Sequence, residues 1–296
     1  MKTIPLFPGT RPLALKDKPL LDRLFKSCPP VISEFTFTNL FAWRRAYHFS
    51  LARLDDAVLV VSEKEDGLQI FDPLARPDKK ARAIEQCFQK AGPAARVIFR
   101  RVPEATAALV KGRGLRIEED RDNFDYLYKT KDMMELSGKK FDAKRNFIKR
   151  FKDAQEFGYE RCTKANIRQC LDFQEEWCLA KDCQHTEGLL REKEAMREML
   201  AHFDELKITG GMIVIGGKVE AVTLGEELNP ETFVIHVEKA NGKFIGIYQA
   251  LQQLFAADAA RHCLYINREQ DLGVPGLRQA KESYHPCAMV KKYTLS

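Results

Sequence analysis

Ile208-Thr-Gly-Gly-Met-Ile-Val-Ile-Gly-Gly-Lys-Val-Glu-Ala-Val-Thr-Leu224 sets two β-branched runs on either side of Gly216-Gly217. A Gly-Gly pair supplies the positive φ values of a two-residue hairpin turn, so the stretch predicts an antiparallel pair. Thr232-Phe-Val-Ile-His-Val-Glu238 then alternates, with Phe233, Ile235 and Val237 on one face and Val234, His236 and Glu238 on the other. After Lys239-Ala-Asn-Gly-Lys-Phe-Ile-Gly246 the apolar positions 247, 250, 251, 254, 255 and 257 follow a helical period. Cys263-Leu-Tyr-Ile-Asn267 closes the unit as a strand parallel to the one before it, which makes a βαβ crossover. Glycines ahead of a helix leave N–H groups free to face an anion, so Gly242, Lys243 and Gly246 are candidate phosphate-binding positions. The same glycines serve equally well simply to turn the chain.

Outward from this stretch, the first half of the chain repeats its plan. Helices are predicted at 19–26 and 37–45, then a hairpin turned at Asp55-Asp56, a strand at 68–71, a helix at 77–91, a strand at 96–99, a helix at 103–111 and an extended segment at 115–128. The second half gives helices at 166–181 and 189–203, the opening unit, a helix at 276–284 and an extended segment at 289–294. The order of elements is the same in both. We therefore read two copies of one α/β (α+β) unit, a domain at 1–130 and a domain at 131–296, each a mixed, mostly antiparallel sheet flanked by helices. In the first copy the loop before the crossover helix, Asp72-Pro-Leu-Ala-Arg-Pro77, has two prolines without N–H and no glycine. That loop offers no anion nest, so the C-terminal copy is the expected active one.

A length of 296 residues suits two such domains, each large enough to bury a core. No apolar run approaches the roughly 18 residues of a membrane span, and the proline-rich N-terminus has no signal-peptide core, so a cytoplasmic protein is expected. The eight cysteines include no CxxC pair, and reduced, mostly buried thiols are the expectation. Cys178, Cys183 and His185 lack a fourth ligand at zinc-site spacing, so no metal is expected. The formal charge is +6. Between Lys139 and Lys152, seven basic residues (139, 140, 144, 145, 149, 150 and 152) face Asp142 alone, which argues for one anion-facing site.

That basic segment reads as a helix from Gly138 to Glu156. Phe141, Phe147, Ile148 and Phe151 fall on one stripe, with Lys144 near its middle and Lys149 and Arg150 pointing away. A lysine among phenylalanines either snorkels or meets an anion. Lys144, Arg145 and Lys140 are therefore candidate substrate- or phosphate-binding residues. The outward cations are a solvated face or a surface for tRNA or another polyanion.

Three segments together resemble the phosphatidylglycerol lysyltransferase C-terminal-like family: Asp125-Tyr-Leu-Tyr128 with Gly138 to Phe151, His236-Val-Glu-Lys-Ala240 with Phe244-Ile-Gly-Ile-Tyr248, and Asn267-Arg-Glu-Gln-Asp-Leu-Gly273 with Gly276 to Pro286 and Lys291-Lys-Tyr293. The resemblance implies tandem GNAT-like domains and acyl or aminoacyl transfer. It implies an activated donor, aminoacyl-tRNA or acyl-CoA, and no tightly bound cofactor. Without a counterpart of the membrane-spanning half of the name-giving enzymes, a small-molecule or peptide acceptor is expected. In typical GNAT proteins the phosphate loop ends in a small residue; here Tyr248 occupies that register, and its bulk weakens the acyl-CoA reading.

Acyl transfer to an amine needs a base, a place for the tetrahedral oxyanion and an acid for the leaving group. Ligands of open α/β sheets sit off the carboxyl ends of parallel strands, where Glu238, Asn267 and Glu269 are placed. Glu238 or Glu269 is the candidate base, each also readable as a solvated strand-end carboxylate. By the resemblance, Tyr284 at the end of its helix is the candidate acid. Arg278 and Lys281 on the same helix are candidate phosphate ligands. The competing functions are acyl-CoA-dependent N-acetyl transfer and a non-catalytic RNA- or polyanion-binding module.

Overall fold

The computed structural model describes residues 3–65, 67–92 and 96–296. In chain order its elements are β1 (Arg11–Pro12), α1 (Lys18–Ser27), α2 (Phe37–Tyr47), β2 (Ser50–Leu54), β3 (Ala57–Lys64), β4 (Gly67–Phe71), α3 (Pro77–Lys90), β5 (Val97–Pro103), α4 (Glu104–Leu109), β6 (Ile117–Glu119) and β7 (Asp125–Lys129). They continue with α5 (Thr130–Glu135), α6 (Asp142–Ala154), β8 (Gly158–Arg161), α7 (Ile167–Ala180), α8 (Glu187–Ala201), α9 (Phe203–Leu206), β9 (Thr209–Ile215), β10 (Lys218–Asn229), β11 (Thr232–Ala240), α10 (Ile247–Ala259), β12 (Tyr265–Asn267), α11 (Pro275–Glu282), β13 (Ala288–Val290) and β14 (Lys292–Leu295). Among the described residues no helix is long and apolar enough to cross a membrane.

The elements form two mixed sheets flanked by helices, β1-β2-β3-β4-β5-β14-β6 and β13-β7-β12-β11-β10-β9-β8. The chain divides accordingly into one unit of residues 1–125, 270–274 and 289–296 and a second of 126–269 and 275–288. This differs from a single cut at residue 130 in two ways. Tyr126 to Thr130 belong with the second sheet, where β7 pairs antiparallel with β12. The last strand, β14, inserts between β5 and β6 of the first. Backbone pairing, which local sequence pattern does not encode, decides both.

In the second unit Gly216 and Gly217 have φ of 56° and 78° and join β9 to β10, as a two-residue turn requires. β11 lies antiparallel to β10 and parallel to β12. Its pairing with β12 covers Thr232, Phe233 and Val234 only, the last opposite Asn267. β11 then runs on to Ala240, so the two parallel strands part beyond Val234 and Asn267. In the first unit the parallel pair β4 and β5 stays joined up to Phe71, the last residue of β4. The opening between parallel strands is thus a feature of the second copy. Apolar side chains of β9, β10, α6 and α10, among them Ile213, Ala221, Phe151 and Leu251, pack one of its core clusters. Phe147, expected on the buried stripe of α6, is 38 % exposed.

One further expectation is corrected, and one glycine has a packing role. Cys178 and Cys183 are paired as a disulfide, while six cysteines are free; the turn after α7 brings the two together, which five residues of sequence separation permit but do not dictate. Gly246 has φ 93°, and a Cβ there would run into the carbonyl of Phe147 and the Cβ of Phe151 on α6. Its lack of a side chain is what lets α6 cross the start of α10.

Candidate functional site

Beyond Val234 and Asn267, two charged bridges span the gap between the parallel strands. His236 on β11 is held on both ring nitrogens, Nδ1 2.8 Å from Glu269 Oε1 and Nε2 3.0 Å from Glu226 Oε1. Burial opposes its charge, but the hydrogen bonds its ring donates to Glu226 and Glu269 outweigh that and raise the pKa to about 9. His236 is therefore an imidazolium at neutral pH, and Glu269 is committed to it. Asn267 is fully buried, and its Oδ1 accepts the N–H of Glu269. This bond steadies a backbone with φ of 55° at Glu269, a left-handed conformation uncommon for a glutamate. Asn267 and Glu269 thus shape the turn beside the site.

The second bridge joins Arg268 to Glu238. Arg268 Nε and Nη2 both donate to Glu238 Oε2, at 3.1 and 2.7 Å. Nη1 of the arginine and Oε1 of the glutamate are buried without a hydrogen-bond partner, and so is the hydroxyl of Tyr284. The guanidinium lies 5.1 Å from the ring centre of Tyr284 and 5.6 Å from that of Tyr128. Tyr284 is 4 % exposed. Burial pushes its phenol well above the usual value, against the opposing pull of Arg268, so the hydroxyl keeps its proton. Three orphan polar atoms, two donors and one acceptor, thus belong to one cluster of side chains. Buried polar groups normally have partners, and those that lack one in a native site require an explanation.

Lys144 reaches the same cluster from α6. Its Nζ donates to Ser283 Oγ at 2.6 Å and sits 4.1 Å over the Tyr284 ring. Burial, and then the nearby Arg268, lower its pKa. Among the described residues Lys144 makes no ion pair. Lys281 closes the floor, donating from Nζ to the carbonyl of Arg268 at 2.5 Å, while its own carbonyl accepts from the Tyr128 hydroxyl. Of the expected residues, the fold therefore gathers Glu238, Tyr284, Lys144 and Lys281.

The other candidates lie elsewhere. Arg145 caps the end of α5 through the carbonyls of Leu136 and Gly138 and pairs with Asp142, and Lys140 pairs with Asp132. Lys243 is 61 % exposed and 3.6 Å from Glu220. A Cβ at Gly242 would meet nothing within 4 Å. Tyr248 packs beside Trp177 and the carbonyl of Ala240, its phenol pushed up by burial. Arg278, half-buried on α11, is engaged with other groups. Among the described residues, no group of three or more His, Cys, Asp or Glu is arranged to hold a metal ion. Sequence reasoning missed Arg268, although it stands between two residues that were singled out, and it missed Tyr128; a charged residue immediately after a buried strand, within reach of a strand-end glutamate, was the available signal.

With this geometry in hand, residues 25–296 match the family described as phosphatidylglycerol lysyltransferase, C-terminal. The chain belongs to that family. A conserved protein of unknown function from Bacteroides thetaiotaomicron is 31% identical, with 97% of this chain and 98% of that one covered and a TM-score of 0.88. L-PGS from Bacillus licheniformis shares the fold at 16% identity, TM-score 0.68, covering 97% and 92%. So does the C-terminal domain of a putative lysylphosphatidylglycerol synthetase from Agrobacterium fabrum, at 12% identity and TM-score 0.67, covering 95% and 92%. No curated protein matches the chain by sequence. The fold shared with these structures is the one described above, two mixed sheets flanked by helices in tandem.

Proposed function

We propose that the protein is an acyltransferase of the aminoacyl-transfer type, which moves an aminoacyl group from an activated donor, an aminoacyl-tRNA, to an amine or hydroxyl acceptor. The observation that carries this reading is the set of buried atoms without a partner among the described residues, Arg268 Nη1, Glu238 Oε1 and Tyr284 Oη, beside a lysine that makes no ion pair with any of those residues. They match what the reaction needs. Glu238 Oε1 accepts the proton of the attacking N–H or O–H group. As the new bond to the acyl carbon forms, Arg268 Nη1 and Lys144 face the negative charge that develops on the carbonyl oxygen. Tyr284 then gives its proton to the oxygen of the ester that breaks. Pre-set donors in a dry site act without reorganising at the moment of reaction.

Membership of a family named for a lysyltransferase supports this class of chemistry. The crossing of α6 at Gly246 and the bulk of Tyr248 argue against a coenzyme A pyrophosphate at the start of α10. The test offers the purified protein a pool of radiolabelled aminoacyl-tRNA with amine and hydroxyl acceptors, and in parallel a panel of acyl-CoAs. Transfer from tRNA that falls at least about a hundredfold in Tyr284→Phe, as for loss of a general acid, is the expected result. Transfer from acyl-CoA alone would replace this reading with the N-acetyltransferase one.

A further inference from the structure

Ser283 gives Lys144 an uncommon partner. The lysine Nζ donates to Ser283 Oγ at 2.6 Å, and no carboxylate among the described residues pairs with it. Three other lysines withdrawn from solvent are held by carboxylates: Lys80 by Asp72, Lys239 by Glu192, and Lys292 by Glu34 and Asp125. A lysine faced by a carboxylate keeps its proton, whereas a half-buried one faced by a hydroxyl, with a guanidinium nearby, gives it up more easily. Lys144 meets both conditions, and burial and then Arg268 lower its pKa. Ser283 follows α11, and its Oγ also donates to the Ala280 carbonyl at 2.6 Å. That bond is common for a serine at a helix end and by itself implies no chemistry. It leaves the lysine unexplained. When Lys144 is neutral, turning the hydroxyl hydrogen from Ala280 to Nζ makes the lysine the base of a serine–lysine pair. Ser283 is half-buried, and the next residue is Tyr284, whose ring centre lies 4.1 Å from the same Nζ.

We propose that Ser283 is the nucleophile of a two-step transfer, activated by Lys144 and carrying the acyl group as a serine ester between donor and acceptor. The inference rests on the acyl-transfer reading and adds a covalent step to it. In the first step Ser283 Oγ bonds to the acyl carbon of the activated ester while its proton passes to Lys144 Nζ. The ammonium so formed and Arg268 Nη1 face the oxyanion. The bond to the leaving oxygen then breaks, and that oxygen takes the proton of Tyr284. In the second step the acceptor bonds to the acyl carbon and gives its proton to Glu238, while Ser283 Oγ leaves and recovers its proton from Lys144. A proton passing through solvent from Glu238 to Tyr284 restores the starting state.

The experiment treats the full chain with p-nitrophenyl acetate, an activated ester that needs no tRNA. Release of p-nitrophenolate is followed by stopped flow, and the modified residue is located by peptide mass spectrometry. A stoichiometric burst with the acetyl group on Ser283 is the expected result, since accumulation of an acyl-enzyme is the kinetic fingerprint of a covalent step. Lys144→Met should slow the burst by about a hundredfold or more, the scale of a general base. Ser283→Ala should abolish it, and Ser283→Cys should restore a burst that maps to position 283. The cysteine variant and the wild-type adduct decide the matter if the alanine variant does not fold. Acetyl groups found only on other residues, or a burst in folded Ser283→Ala equal to that of the wild type, would overturn the proposal. Transfer from aminoacyl-tRNA is then measured with the wild type and Ser283→Ala. Transfer that persists undiminished in Ser283→Ala leaves the aminoacyl-transfer reading standing and removes the nucleophile. Acetylation of Ser283 without any turnover of aminoacyl-tRNA does the reverse.

Discussion

At the scale of single residues, Lys144 and Lys149 separate a site lysine from a surface one. Lys144 is half-buried against Tyr284 and Ser283 with no carboxylate among the described residues to meet it, and Lys149 is exposed on the same helix. Lys144→Met keeps the bulk and removes a desolvated charge. It should abolish transfer while leaving the melting temperature at or slightly above the wild-type value. Lys149→Met should change neither, and should only weaken salt-dependent association with polyanions. Parallel kinetics and thermal melts of the two variants check the contrast; equal effects on activity would place Lys144 with the surface. His236 gives a pH signature. Its folded pKa is raised to about 9 from an ordinary value near 6.5. The stabilisation it brings is fully present below about pH 6.5 and is lost as pH rises through about 9, amounting to about 3 kcal/mol in all. Urea titrations from pH 6 to 10 should show that loss in the wild type and a much flatter profile in His236→Gln.

Between elements, the decisive contact is the crossing of α6 over the start of α10. Gly246 has a positive φ, and its missing Cβ makes room for the carbonyl of Phe147. Gly246→Ala adds backbone strain to a collision with main-chain atoms, and should cost at least about 2 kcal/mol. Because α6 carries Lys144, activity should fall together with stability. Gly242→Ala, in the same loop, meets open space without a positive φ, so it should be close to neutral. Denaturant midpoints of the two variants measure the difference. A loop built to bind phosphate through Gly242 would give the opposite order in activity.

For the whole molecule, stability of the first unit depends on a strand from the far end of the chain. β14 lies between β5 and β6, and its first residue, Lys292, is fully buried, 2.6 Å from both Glu34 and Asp125. Ser33 donates its N–H and its hydroxyl to the same Asp125 carboxylate. Lys292→Met would take the cation from the buried Asp125 and leave Glu34 with Arg101 at 3.0 Å, and loss of one member of a buried ionic group costs about 3–5 kcal/mol. The neighbouring Lys291 points to solvent with Glu119 at 3.1 Å, so Lys291→Met should leave the unfolding curve nearly unchanged. Equilibrium unfolding of both proteins at pH 7 is the measurement, and a silent Lys292→Met would remove the ionic group from any account of how β14 is held.

What the sequence determined by itself was local. The alternation of Phe233 to Val237, the helical period after Ile247 and the Gly216-Gly217 turn fixed hairpin, strand, helix and strand in order, because each depends on φ, ψ and side-chain direction within a few residues. The tandem plan followed from that order, and the resemblance rested on motifs that each lie within one short segment. The tertiary structure alone decided which side chains meet. Arg268 and Glu238 are 30 residues apart, Lys144 and Ser283 139, and Lys292 and Glu34 258. Strand register and helix crossing bring such pairs together, and neither leaves a periodic mark in the chain. For the same reason Gly246 reads as a phosphate loop in the sequence and as a packing contact in the fold: a glycine reports that a side chain is intolerable, and only the neighbour that would collide with it tells why.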